Sequence, residues 1–177
     1  LDSLEYGNVP QQRKRIFIVA FLDYDQCAKF NYPEPIERTV QLNDILDRTV
    51  KHDDIYYYNA SSFYYEEMVK TVTDKRALYK INDHGVSPRK HFICPTLTAN
   101  MGAGGHNVPL LVDDFGIRKL TPKECFAFQG YPVDKMVFPE KMSNSALYMQ
   151  AGNSVTMPLI QRIVENILEV MLAQEIA

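Results

Sequence analysis

The feature that most constrains this chain is the uninterrupted apolar run at residues 16–22, Ile-Phe-Ile-Val-Ala-Phe-Leu. It is far short of the roughly 20 residues a membrane span needs. Ile16, Ile18 and Val19 are β-branched, and Asp23 follows the run. A short, β-branched, fully apolar segment reads as a strand buried on both faces, the kind found in the parallel sheets of α/β folds. The chain before it carries Arg13, Lys14 and Arg15, so the strand would begin directly after a cluster of guanidinium and ammonium groups.

The rest of the chain divides around this strand. Residues 31–35, Asn-Tyr-Pro-Glu-Pro, break regular structure and read as a linker. A short helix is expected over 43–47 and a second over 63–72, in a stretch rich in tyrosine. Short strands are expected near 77–81 and 91–93. Residues 100–107 must form a loop, because Gly102, Gly104 and Gly105 offer no side chains to pack. Residues 109–112 and 117–120 read as a hairpin about Asp113-Asp114-Phe115-Gly116. Thr121-Pro122-Lys123-Glu124 is a capping box with proline at the first helical position, and Gly130 and Pro132 end the helix it starts. Another helix is expected around 146–150, stopping at Gly152. The last segment carries Leu159, Ile160, Ile163, Val164, Ile167, Leu168, Met171 and Leu172 at helical spacing. That stripe could serve this chain's own core or be received by another domain.

Composition sets the class. Hydrophobic residues make up 46% of the 177, enough for a packed core and against global disorder. No basic start followed by an apolar stretch marks a signal peptide. The first residue is Leu1, which favours a fragment of a longer protein. Cys27, Cys94 and Cys125 are few and contain no C-x-x-C pair, so neither a disulfide framework nor a zinc site is expected, and a reducing, cytoplasmic setting fits. The net charge of -3 argues mildly against nucleic acid as a partner. The local clusters Arg13-Lys14-Arg15, Lys75-Arg76, Arg89-Lys90-His91 and Arg118-Lys119 argue the other way, although each could be ordinary surface charge.

Three segments carry a resemblance. The first is Tyr6-Gly7-Asn8-Val9-Pro10-Gln11-Gln12-Arg13-Lys14-Arg15, leading into the strand. The second is Arg118-Lys119-Leu120-Thr121-Pro122-Lys123-Glu124-Cys125, continuing to Gln129-Gly130-Tyr131-Pro132. The third is Gln150-Ala151-Gly152-Asn153-Ser154-Val155, leading into the last helix. In that order, and with a variable stretch between the first two, they resemble the closing motifs of the DNA cytosine-C5 methyltransferases. The likeness covers essentially the whole chain. It implies a C-terminal fragment of a doubly wound α/β fold with a small α+β target-recognition domain. Residues 1–22 would end the catalytic sheet, 23–117 would form the recognition domain, and 118–177 would return helices to the catalytic domain.

The resemblance also implies roles. Attack on cytosine C6 drives negative charge toward O2, which a rigidly held guanidinium would stabilise in a dry pocket. Arg15 takes that catalytic role, with Arg13 helping to hold the site. Gln11, Thr96, Leu97, Thr98, Asn100, Gly104, Gly105, His106 and Asn107 are expected at the DNA. There hydroxyls, amides and closely approaching glycine backbone can meet phosphates and base edges. Asn153, Ser154 and Val155 are expected to line the S-adenosyl-L-methionine pocket; read only locally, Asn153 and Ser154 make a turn and an N-cap. No metal is expected. Cys94 precedes Pro95, the reverse of the family's Pro-Cys nucleophile order, and all three cysteines read as packing residues. The family's glycine-rich cofactor loop and Glu-Asn-Val acid motif are not in this sequence. The expected partners are therefore double-stranded DNA and a missing N-terminal catalytic domain or subunit, with no membrane. Alone, the chain should be inactive. A split enzyme's second subunit, or a non-enzymatic DNA-binding protein descended from such an enzyme, also fits these residues.

Overall fold

The computed structural model describes residues 1–82, 85–89, 92–103 and 107–173. It is a mixed helix and strand structure around one small antiparallel sheet. The helices are α1 (Ser3–Tyr6), α2 (Tyr24–Lys29), α3 (Tyr65–Thr71), α4 (Pro122–Phe128), α5 (Asn144–Asn153) and α6 (Met157–Leu172). The strands are β1 (Tyr79–Asn82), β2 (Gly85–Pro88), β3 (Leu110–Val112) and β4 (Ile117–Lys119), in spatial order β2-β1-β3-β4.

The expected hairpin is β3–β4, with Leu110 opposite Lys119 and Val112 opposite Ile117. Its turn works as the sequence suggests: one oxygen of Asp113 accepts the backbone N–H of Phe115 at 2.8 Å and of Gly116 at 3.0 Å. Gly116 adopts a φ of 144°, open to glycine at little cost. Helix α4 is capped as expected. Thr121 accepts the Glu124 N–H at 3.2 Å, and the Glu124 carboxylate accepts the Thr121 N–H at 2.7 Å. The expected helix over 63–72 forms over the narrower span of α3, and the one around 146–150 is longer, as α5. In place of a helix over 43–47 there is a single 3-10 turn, Leu42–Asp44. Strand β2 has no counterpart among the expected elements; it pairs with β1 from Asn82 opposite Gly85 to Tyr79 opposite Pro88. His91 lies outside the described residues, and Phe92 and Ile93 form no strand.

The main correction concerns residues 16–22. They are not a strand and are not buried. Ile16 is 90% and Ile18 88% exposed, and Leu22 is fully exposed. The segment is without regular structure, and exposed even-numbered residues alternate with half-buried odd-numbered ones. The physical reason is that a strand needs a neighbour to accept its backbone hydrogen bonds, and no described strand lies beside it. Helix α6 tells the same story. Leu159 and Ile163 are buried, but further along the stripe Val164, Leu168, Met171 and Leu172 are exposed.

Two apolar clusters hold the rest. One is built on the sheet and α3 from Met68, Val72, Tyr79, Ile81, Val86, Leu110 and Ile117. The other gathers Leu42, Leu46, Leu78, Cys94, Leu97, Met101, Leu111, Leu120, Cys125, Phe128, Tyr148 and Ala151. This second cluster takes residues from both sides of position 118, so the variable stretch and the closing helices share one core. Cys94 and Cys125 pack as expected, whereas Cys27 is exposed rather than packed.

Candidate functional site

The site is built around the backbone of residues 10–15, which is clamped from two sides. On one side Arg15 N–H donates to Leu1 O and Ser3 N–H to Arg13 O, both at 3.0 Å. On the other, Cys94 N–H donates to Pro10 O at 2.7 Å and Gln12 N–H to Cys94 O at 3.0 Å. Arg15 thus has a rigid mount, but Leu1 and Cys94 supply it, not the expected strand.

The two arginines then diverge. Arg13 is buried, and its guanidinium donates to the carbonyls of Leu97 at 2.6 Å, Gly152 at 3.0 Å and Ser154 at 2.8 Å. Burial first, and the nearby charge of Arg15 second, pull its pKa down to about 10. It stays cationic at neutral pH and ties the first and third motifs to Leu97 in the stretch between the first two. Arg15 is exposed, and its guanidinium donates to Lys14 O at 2.7 Å.

The residues expected at DNA separate in the same way. Gln11 is fully buried and donates to Phe128 O at 3.2 Å, and Leu97 packs in the larger core. Neither side chain can reach DNA in this fold, because both fill the interior under the site. Thr96 donates its hydroxyl to Gln12 O at 2.7 Å. Thr98, Asn100 and Asn107 are exposed, and Ala99–Gly102 forms a 3-10 turn lying on α5. Gly104, Gly105 and His106 lie outside the described residues, as do Lys90 and His91 of the basic cluster at 89–91.

The segment expected to meet the cofactor is the end of α5. Asn153 is its last residue and Ser154 its C-cap, with Ser154 N–H donating to Gln150 O at 2.9 Å and its hydroxyl to Ala151 O at 2.7 Å. The N-cap of α6 is Thr156, not Asn153 or Ser154. Asn153 and Val155 are exposed, and Ser154 is half-buried. Beneath the turn lies a buried polar chain the residue pattern did not reveal: Gln129 donates to Ala151 O at 2.9 Å, Thr156 donates to Gln129 at 3.2 Å, and the Ser3 and Thr156 hydroxyls are 2.7 Å apart.

Arg118 is another departure from expectation. It is fully buried rather than surface charge. It meets Asp113 at 2.7 Å and Glu124 through two nitrogens at 2.8 Å. Burial opposes its charge, but these two carboxylates hold its pKa above the ordinary arginine value. Glu124 therefore caps α4 and anchors Arg118 at once. The sequence marked Asp113 as a turn residue, Arg118 as part of a basic cluster and Glu124 as a capping residue, but gave no sign that the three meet.

The family model described as C-5 cytosine-specific DNA methylase matches residues 1–169. A type II methyltransferase of Bacillus sp. (strain RFL6), M.Bsp6I, is 45% identical over 173 residues, covering 97% of this chain and 54% of that relative. The type II methyltransferase M.HpaII of Haemophilus parainfluenzae is 30% identical over 185 residues, covering 96% and 49%. M.HhaI of Haemophilus parahaemolyticus is 28% identical over 173 residues, covering 94% and 51%. The chain spans about half the length of the curated relatives it matches.

Proposed function

This chain belongs to the family of C-5 cytosine-specific DNA methylases, and from that membership we propose that it is the target-recognition and pocket-completing portion of such an enzyme. The whole enzyme would flip a cytosine out of double-stranded DNA and methylate its C5. The observation that carries this reading is the placement of the two motif arginines. Arg13 is spent on holding the carbonyls of Leu97, Gly152 and Ser154, and Arg15 is left exposed on a rigid backbone beside them. From that fixed backbone position the exposed Arg15 guanidinium would meet the developing charge on cytosine O2 once the catalytic portion encloses the pocket.

Asn153, Ser154 and Val155 would form one wall of an S-adenosyl-L-methionine site. They fit that part because Asn153 and Val155 are exposed and the turn between them is fixed in position by Arg13 through Ser154 O. S-adenosyl-L-methionine would supply the methyl group. The nucleophilic thiol, the carboxylic acid that serves cytosine N3, and most of the cofactor site would come from a catalytic portion that carries the motifs this sequence lacks. Cys94 and Cys125 do not replace that thiol: both are buried, and burial pushes their pKa values well up, away from the reactive thiolate.

The exposed Thr98, Asn100 and Asn107 would belong to the element that chooses the DNA sequence, together with Gly104, Gly105 and His106. Replacing Met101 to Asn107 in the complete enzyme should relax or shift the methylated site. Each hydrogen-bonded base edge given up should cost about 1–3 kcal/mol of discrimination. Bisulfite mapping on DNA with many sequence contexts reads the outcome. A uniform loss of rate with unchanged site choice would remove this segment from recognition.

A further inference from the structure

The motif from Gln150 to Val155 ends in the three residues assigned above to the cofactor, yet its glycine, Gly152, packs on a different neighbour. Gly152 lies in the last turn of α5, against the peptide joining Thr98 to Ala99. A Cβ built there would stand 2.1 Å from the Thr98 carbonyl carbon and 2.3 Å from both Thr98 O and Ala99 N. These are backbone atoms, which cannot swing aside as the end of a long side chain can. Two turns earlier along α5 the arrangement recurs with the glycine on the other partner. A Cβ at Gly102 would stand 2.4 Å from Ser145 O, and the Ser145 hydroxyl donates to Gly102 O. Arg13 closes the joint by bonding Leu97 O and Gly152 O together. Residues 97–102 therefore lie flush on the helix at both ends, backbone on backbone.

We propose that Gly152 is a specificity-positioning residue: it seats the Thr98–Ala99 peptide, and through it the segment that reads DNA, on the helix that ends in the cofactor turn. The inference rests on the recognition role given above to residues 98–107. Helix α5 is itself fixed, with Leu147, Tyr148 and Ala151 buried. The exposed Asn100 thus follows directly on a peptide whose position is set by the seat at Gly152. A methyl group there would force the peptide away by about 1 Å, a misplacement large enough to weaken an aligned interaction heavily. Base-edge hydrogen bonds, which depend on distance and angle, would lose discrimination before the exposed cofactor turn lost its shape.

The test is made in the complete enzyme, comparing methylation of duplexes that carry the preferred site or one altered base pair. Gly152→Ala should lower discrimination about tenfold, with the KM for S-adenosyl-L-methionine close to that of the unsubstituted enzyme. Ser145→Ala, which removes the hydroxyl bond to Gly102 without adding bulk, should lower discrimination less and in the same direction. It decides the matter alone if Gly152→Ala does not fold. A raised KM for S-adenosyl-L-methionine with site choice intact in Gly152→Ala, or unchanged discrimination in Ser145→Ala, would overturn the proposal. Replacement of Met101 to Asn107 runs alongside. If that leaves site choice unchanged, the recognition reading itself fails. If it shifts site choice while the two point variants do not, only the Gly152 inference fails.

Discussion

Arg13 and Arg15 share a motif and a charge but not an environment, and their fates in mutation should differ accordingly. Arg15→Ala in the complete enzyme should raise the chemical barrier by about 2–4 kcal/mol, the cost of losing one preorganised donor. Sequence-specific DNA binding should hold up far better than the single-turnover rate. A normal rate with weaker non-specific binding would make Arg15 a phosphate-binding residue. Arg118→Ala tests the interior instead. It leaves Asp113 and Glu124 without their cation, and should cost about 3–5 kcal/mol in urea unfolding of the chain. A loss below about 1 kcal/mol would place the pair among weak, solvent-screened bridges. The residue types at both centres were legible, because Gln-x-Arg-x-Arg and the capping box are local patterns. Which arginine turns inward was not. That depends on carbonyls at Leu97, Gly152 and Ser154, far away in sequence and without any side-chain signature.

Among the elements, the ones defined by their own residues were readable. Helix α4 has its capping box and proline, and the β3–β4 hairpin has its Asp-Asp-Phe-Gly turn. The stretch at 16–22 was not readable in the same sense. Its apolar pattern describes a buried strand, but burial is a property of the neighbours as well. Strand β2 failed in the opposite direction: Gly85, Val86, Ser87 and Pro88 have no strand-like pattern. Their place is set by β1 beside them and by Glu67 on α3, whose carboxylate accepts the Val86 N–H at 2.7 Å. These facts give a prediction for the extended segment. When the catalytic portion is added, the backbone amides of residues 16–22 should gain protection against hydrogen exchange, as their N–H groups find strand partners. Exchange rates that stay those of an exposed chain in the assembled, active enzyme would mean that the segment never enters a sheet.

At the scale of the whole molecule, two kinds of surface meet. One core runs from Leu42 to Ala151 and binds the variable stretch to the closing helices. Against it stand Ile16, Ile18 and Leu22 and the outer face of α6, all exposed. Among the described residues no helix is long and apolar enough to cross a membrane. On the reading proposed above, this uncovered apolar surface is where the catalytic portion would pack. The central claim is that this chain completes a methyltransferase without being one by itself. The most direct measurement is transfer of labelled methyl groups from S-adenosyl-L-methionine to DNA. It is made with the purified chain alone, then with the chain joined to the part of M.Bsp6I that it does not match. Background counts are predicted for the chain alone, and 5-methylcytosine when the catalytic portion is present. Turnover by the chain alone would contradict the claim.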